Sequence, residues 1–282
     1  MAQNEPAWTS ETLARPHDTP DKSIRVRRMF NGIARRYELI NTLFSAGRDA
    51  AWRREAVRLA QISGADDVLD VAAGTGNFAR AFAAAGARLV VGIDFAHEML
   101  RLATAKHDRD AGTRFLSRPH DSYPVGARIP ARRDRTSDPS PSPTTCWCEA
   151  DALRLPFPSR CCSVVSSAFG VRNFADLDVG LAEMFRVLRP GGRAVILEFT
   201  TPTNPIARAL YHLYSQRLMP MAASIISRDR ESAYRYLPRS VVSFPGAEQV
   251  CRRLRGVGFA DVSATPLTLG IVTVYVARRD QE

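Results

Sequence analysis

The stretch Val68-Leu69-Asp70-Val71-Ala72-Ala73-Gly74-Thr75-Gly76-Asn77-Phe78, followed by Leu89-Val90-Val91-Gly92-Ile93-Asp94, reads as strand, glycine turn, helix and second strand. Gly74 and Gly76 let the backbone pass close to a ligand that a Cβ would push away. The helix that follows turns unpaired amide N–H groups toward an anionic group. Asp94, at the carboxyl end of the second strand, stands where a carboxylate accepts both hydroxyls of a ribose. A nucleoside-bearing cofactor is therefore expected at this turn.

The turn alone does not select the cofactor, because Gly74-x-Gly76-x-x-Ala79 also satisfies the dinucleotide pattern that ends in Gly or Ala. Two details favour S-adenosylmethionine over NAD. Asp70 lies on the first strand just before the turn, where it would meet the cationic amino group of a methionine moiety; a pyrophosphate would be repelled there. Downstream, Arg189-Pro190-Gly191-Gly192-Arg193 leads into the apolar Ala194-Val195-Ile196-Leu197, a helix end followed by a turn and a buried strand. The rival reading, that all these glycines are ordinary strand-to-helix turns, has to explain both segments at once.

Outward from this core, the pattern alternates: strand at 67–72, helix at 77–85, strand at 88–93, helix at 96–106. It resumes with Cys148-Glu149-Ala150-Asp151-Ala152, a fourth strand at 163–168, a helix at 176–188 and a fifth strand at 193–199. A helix near 246–256 and two strands near 260–267 and 270–278 complete it, the last pair close enough in sequence to form an antiparallel hairpin. Such alternation implies an α/β fold, a Rossmann-like, mostly parallel seven-stranded sheet with helices on both faces and ligands at the carboxyl ends of its strands.

Three segments stand outside the alternation. Residues 1–21 are polar, broken by prolines and expected to be disordered; residues 22–282 are expected to form one domain. The segment 107–145 is rich in Pro, Ser and Arg and reads as an insertion between the second helix and the third strand, with Arg114-Phe115-Leu116 a candidate remnant of that strand. Within 204–245, Ile206, Leu210, Leu213, Tyr214, Leu218, Met221 and Ile225 recur at helical steps, forming a stripe that either packs on its own domain or covers the substrate. Val26, Met29, Phe30, Ile33, Tyr37, Ile40 and Leu43 predict a further helical segment ahead of the sheet.

The chain of 282 residues carries a formal charge of +10, so an anionic partner is expected: nucleic acid, a membrane surface or an acidic substrate. Arg25, Arg27, Arg28, Arg35 and Arg36 crowd the amino-terminal helix. No apolar leader and no apolar run of membrane-spanning length is found, so a cytoplasmic protein is expected. The five cysteines lack paired CxxC spacing, and no metal is expected.

Beyond the glycine turn, several ordered blocks carry a resemblance. They are Phe30-Asn-Gly-Ile-Ala-Arg-Arg-Tyr37-Glu-Leu-Ile-Asn41-Thr-Leu-Phe-Ser45-Ala-Gly47 with Trp52, Phe169-Gly-Val-Arg172-Asn173, Glu183-Met-Phe-Arg186 through Gly192, Leu197-Glu198-Phe199, and Ala233-Tyr234-Arg-Tyr236-Leu-Pro238 with Phe244-Pro245. Together they resemble the menaquinone/ubiquinone biosynthesis C-methyltransferase family from about Val26 to Arg278. The resemblance implies the class I S-adenosylmethionine-dependent methyltransferase fold, with Thr75 and Asp94 binding the cofactor and Asp151 with Ala152 flanking its adenine. Asp151, following a strand, can also accept from an adenine amino group on its own chemistry; its rival role is to cap the next turn. Cys162-Ser163 replaces a Phe-Asp pair common in relatives, and Ala168 replaces a serine that some of them have.

The reaction implied is carbon methylation of a reduced polyprenyl quinone precursor, demethylmenaquinol ahead of its benzoquinol counterpart. Such an acceptor requires transient contact with the inner face of a membrane, for which the apolar stripe and the basic amino terminus suit. Methylation at carbon needs an ionised ring hydroxyl. Arg172 and Asn173, just past the fourth strand, are placed to stabilise it, Arg172 as a cation and not as a base. A salt bridge to a neighbouring carboxylate is the rival role for Arg172. Tyr37 and Asn41 are candidates for lining the ring site, with packing or capping as the rival; His97 and His212 are bases by residue type alone, and water competes with them.

A nucleic-acid methyltransferase fits the charge but would place a Pro-Pro-Tyr type clamp where Ala168-Phe-Gly-Val-Arg-Asn173 stands. A non-catalytic scaffold in a quinone-synthesising assembly is the other alternative, and homo-oligomerisation is left open.

Overall fold

In a computed structural model of the chain, the described residues are 8–9, 11–14, 16–17, 19, 21–110, 144–202, 204–205 and 233–282. Strands β1 (Asp67–Val71), β2 (Leu89–Asp94), β3 (Thr144–Glu149), β4 (Cys162–Ala168), β5 (Leu188–Phe199), β6 (Asp261–Leu267) and β7 (Val272–Arg278) form one sheet of order β3-β2-β1-β4-β5-β7-β6. The first five run parallel, and β7 is antiparallel to both β5 and β6. From β1 the chain builds outward through β2 to β3, then returns to the other side of β1 with β4. That reversal splays the loops after β1 and β4 apart, which is where open α/β sheets bind ligands.

β1 and β2 are buried along their whole length, as expected of parallel strands covered on both faces. Alternate residues face opposite layers. Leu69 and Val71 pack toward α6 (Leu177–Val187) and the late helix Ala247–Gly256, through Leu181, Met184, Val250 and Leu254. Val68 and Val90 pack toward α3 (Asp49–Ala60), α4 (Asn77–Ala84) and α5 (His97–Asp110), through Trp52, Phe78, Phe82 and Leu100.

A third cluster lies off the sheet and joins α1 (Lys22–Ile33) to α7 (Ala233–Val242), with the late helix becoming α8 in chain order. Val26, Met29, Phe30 and Ile33 from α1 meet Tyr236 and Leu237 from α7. Trp8 and Leu13 are buried in the same cluster, at 0% and 1% exposure. Disorder was expected over 1–21, but among its described residues these two are packed: isolated apolar residues among prolines carry no period, yet they bury against α1 and α7.

Three boundaries also move. The third strand begins at Thr144, inside the stretch read as insertion, and ends at Glu149. α5 extends to Asp110, and the fifth strand includes the Pro190-Gly191-Gly192 turn as a bulge against β4. Arg114-Phe115-Leu116 and the stripe from Ile206 to Ile225 lie outside the described residues.

Candidate active site

A cleft opens at the carboxyl ends of β1, β2 and β4. Gly74, Asp94, Asp151 and Ala152 line one half, and Tyr37, Phe169 and Asn173 line the other. Phe30 from α1 and Tyr37 from α2 (Tyr37–Phe44) join the lining, and the Tyr37 ring lies next to Gly74, so Tyr37 borders both halves.

In the first half, Gly74 adopts φ +56°, a left-handed geometry that a side chain resists. Asp94 ties the rim together: Oδ2 accepts from the Gly74 amide at 2.8 Å and Oδ1 from the Ala96 amide at 2.8 Å. Each carboxylate oxygen keeps a lone pair, enough for the two hydroxyls of a ribose. Burial pushes Asp94 up to about 6. Asp151 Oδ1 accepts from the Leu153 amide at 2.9 Å, the local cap weighed for it, while the residue still lines the cleft beside Ala152.

Asp70, Thr75 and Gly76 sit behind that lining. Asp70 is fully buried; Ser166 Oγ donates to its Oδ1 at 2.7 Å, and among the described residues its Oδ2 has no hydrogen-bond partner. Burial pushes its carboxyl up to about 7. An orphaned buried carboxylate oxygen at the foot of the glycine turn is what a cationic amino group would satisfy, so the donor set fits a methionine-bearing nucleoside. Thr75 Oγ donates to Glu38 Oε1 at 3.0 Å, and Asn77 Nδ2 donates to the same atom at 2.9 Å, with Lys106 as its ion-pair partner. Gly76 has a packing reason besides the one read in the sequence: at φ +79° a Cβ on it would overlap the Trp147 indole.

In the second half, Asn173 lines the cleft, its Nδ2 donating to the Phe169 carbonyl at 3.2 Å. Tyr37 also lines it, edge-on to Phe30 with ring centroids 5.8 Å apart. Arg172 does not line it. Its guanidinium is buried behind the wall, where Nη1 donates to Glu198 Oε1 at 2.6 Å and to the Phe169 carbonyl at 2.6 Å, and Nε donates to Ser240 Oγ at 3.3 Å. The salt bridge held as its rival role is present. Phe169 itself is at φ +57°, strained for a bulky side chain, and the two donors on its carbonyl hold it so.

Sequence reasoning assigned no role to Glu198 or Tyr236, although both stand in the resembling blocks. Glu198 is fully buried at the end of β5, and Tyr236 OH donates to Asn173 Oδ1 at 3.0 Å. An acidic residue closing an otherwise apolar strand was the signal for the first. His97 is half exposed outside the lining, with Nδ1 3.1 Å from Glu149 Oε2; His212 lies outside the described residues. Among the described residues no His/Cys/Asp/Glu cluster can hold a metal, and no helix is long and apolar enough to cross a membrane.

Sheet order, rim and donor set define a class I S-adenosylmethionine-dependent methyltransferase. The model of the ubiE/COQ5 methyltransferase family matches residues 18–117 and 133–279, and the chain belongs to that family. It is 38% identical over 261 residues to "Ubiquinone/menaquinone biosynthesis C-methyltransferase UbiE" of Geobacter sulfurreducens, covering 92% of this chain and 90% of that protein. It is 38% identical over 269 residues to "Demethylmenaquinone methyltransferase" of Deinococcus radiodurans, covering 95% and 98%. Among solved structures, a Haemonchus contortus phosphoethanolamine N-methyltransferase bound to S-adenosylhomocysteine aligns with TM-score 0.52 at 16% identity, over 81% of this chain and 52% of that one, a likeness of fold alone.

Proposed function

We propose that the chain methylates a ring carbon of demethylmenaquinol, with Gly74, Asp94, Asp151 and Ala152 holding the cofactor and Asn173 with Tyr37 facing the acceptor. The observation that supports this reading is that one cleft is lined both by Gly74, Asp94, Asp151 and Ala152 and by Phe30, Phe169, Phe174 and the Asn173 amide. Aromatic walls with few polar groups suit a flat, electron-rich ring. Held by Gly74, Asp94, Asp151 and Ala152, S-adenosylmethionine would supply an electrophilic methyl in exchange for the ring proton, which would pass to water.

The chain's own residues supply placement and charge. Asn173 donates an amide N–H toward the ionising ring oxygen, where a fixed donor in a dry site is most effective. Arg172, held by Glu198, fixes the Phe169 carbonyl and so the wall against which the ring lies. Orientation of carbon and methyl then contributes a large share of the acceleration.

A polyprenyl acceptor resides in a bilayer, and we propose reversible docking there through the amino-terminal helices. Ile24 and Leu39 are 58% and 53% exposed, and Arg27, Arg35 and Arg36 are exposed on the same two-helix segment. Apolar residues beside basic ones are suited to an anionic interface.

Purified protein given labelled S-adenosylmethionine should methylate reduced demethylmenaquinone in preference to the matching benzoquinol. Label in the benzoquinol alone moves the assignment to the ubiquinone branch, and label in neither overturns it.

A further inference from the structure

Tyr236 is fully buried on α7, and its ring stacks on Trp8 with centroids 4.2 Å apart and planes 22° apart. Its hydroxyl donates to Asn173 Oδ1 at 3.0 Å, while Asn173 Nδ2 donates to the Phe169 carbonyl at 3.2 Å. A carbonyl oxygen only accepts, so the amide cannot be turned over: Nδ2 must face Phe169, and Oδ1 must then face the hydroxyl. One hydrogen on Nδ2 is committed to Phe169, and the second is left for the cleft that Asn173 lines.

We propose that Tyr236, backed by Trp8, is a positioning residue that locks the Asn173 amide with its N–H toward the acceptor, making the site selective for an anionic ring oxygen. This rests on the aryl-acceptor reading above. Three groups converge on the lock: the Tyr236 hydroxyl, the Phe169 carbonyl, and the Arg172 guanidinium donating to that same carbonyl at 2.6 Å. With only an acceptor on one side of the amide, Tyr236 has to act as donor on the other. Burial pushes the Tyr236 hydroxyl well above the usual phenol range, with Arg172 opposing and Glu198 reinforcing, so it stays protonated. The amino-terminal segment therefore contributes to the acceptor wall through Trp8, two residues removed from any contact with the ring.

Tyr236→Phe keeps the ring and the stack and removes only the donor. The expected result is a fall in kcat of about tenfold to a hundredfold, below the loss of an oxyanion donor itself, with S-adenosylmethionine affinity within about twofold of wild type. Since Tyr236 acts through Asn173, adding Tyr236→Phe to Asn173→Ala should lower kcat no further. A second readout needs no turnover. With S-adenosylhomocysteine present, the absorbance of bound 1-naphthol should show an apparent pKa about one unit below its free value in wild type, and the free value in Tyr236→Phe. If Tyr236→Phe does not fold, Trp8→Ala, which leaves the hydroxyl but removes its backing, should show the same dependence on Asn173 at smaller size. Effects that multiply in the double variant, or an unchanged naphthol pKa, overturn the proposal. A wild type that binds naphthol with a lowered pKa yet methylates no quinol overturns the acceptor assignment and leaves the lock standing.

Discussion

Two buried carboxyls, Asp94 in the cleft lining and Asp70 behind it, make protonation part of the proposed cofactor binding. Asp70 is held up to about 7 and Asp94 to about 6 by burial, against about 4 for an unfolded carboxyl. The folded protein thus holds protons that the unfolded chain has lost. The stability these two groups contribute is fully present below about pH 4 and is lost as pH rises through about 6 to 7. A cationic amino group beside Asp70 favours the charged form, so cofactor binding should release protons near neutrality. Calorimetry at about pH 6 should show net proton release, as binding heats that differ between two buffers of unlike ionisation enthalpy, and at about pH 8.5, where Asp70 is already ionised, that release should be gone. Equal heats at both pH values would remove Asp70 from the site.

At the scale of elements, the glycine turn serves packing as much as ligand approach. Trp147 on β3 lies under both Gly76 and Gly92, at places where a Cβ on either would overlap its ring. Gly76→Ala should cost about 1–3 kcal/mol from overpacking and about 1–2 kcal/mol from the left-handed backbone. A melting series should find Trp147→Leu combined with Gly76→Ala less destabilised than the sum of the single changes, and strict additivity would refute the overlap. The β1–α4–β2 unit was legible in the sequence because strand, turn and helix are contiguous and each shows its own period. β3 was placed at Cys148 and not at its start at Thr144, because its partner β2 is separated from it by a long polar stretch, and strand pairing leaves no local mark. Arg172 and Glu198, 26 positions apart, were equally silent: a sequence shows the arginine but not the carboxylate that claims it. The departure at Cys162-Ser163 turns out to be remote from the cleft, since Ser163 Oγ donates to Asp66 Oδ1 at 2.8 Å at the opposite end of the sheet.

For the whole molecule, a net charge of +10 fixes the sign of its long-range interactions. With about 1 kcal/mol from each basic residue near an anionic surface, a few exposed arginines on the first two helices suffice for weak attachment. Sedimentation with phosphatidylglycerol vesicles should capture the protein at low salt, and about 0.5 M salt or purely phosphatidylcholine vesicles should release it. Retention on neutral vesicles at high salt would exclude an electrostatic dock. The fold class was readable throughout from the alternation of elements, whereas the third apolar cluster was not, because it is assembled from Trp8, α1 and α7, which no single window of sequence contains.

That cluster also sets a timetable for biosynthesis. His17 and the Ser240 carbonyl, 223 positions apart, are in hydrogen-bond contact at 3.1 Å beside the Trp8–Tyr236 stack. During translation the residues proposed to hold the nucleoside emerge early, but the wall proposed to orient the acceptor is completed only once the ribosome has passed Ser240. A polypeptide interrupted before that point lacks this seam and also β7, which pairs with β5 inside the sheet, so a late nonsense mutation should leave no folded fragment to compete with the intact enzyme for the methyl donor.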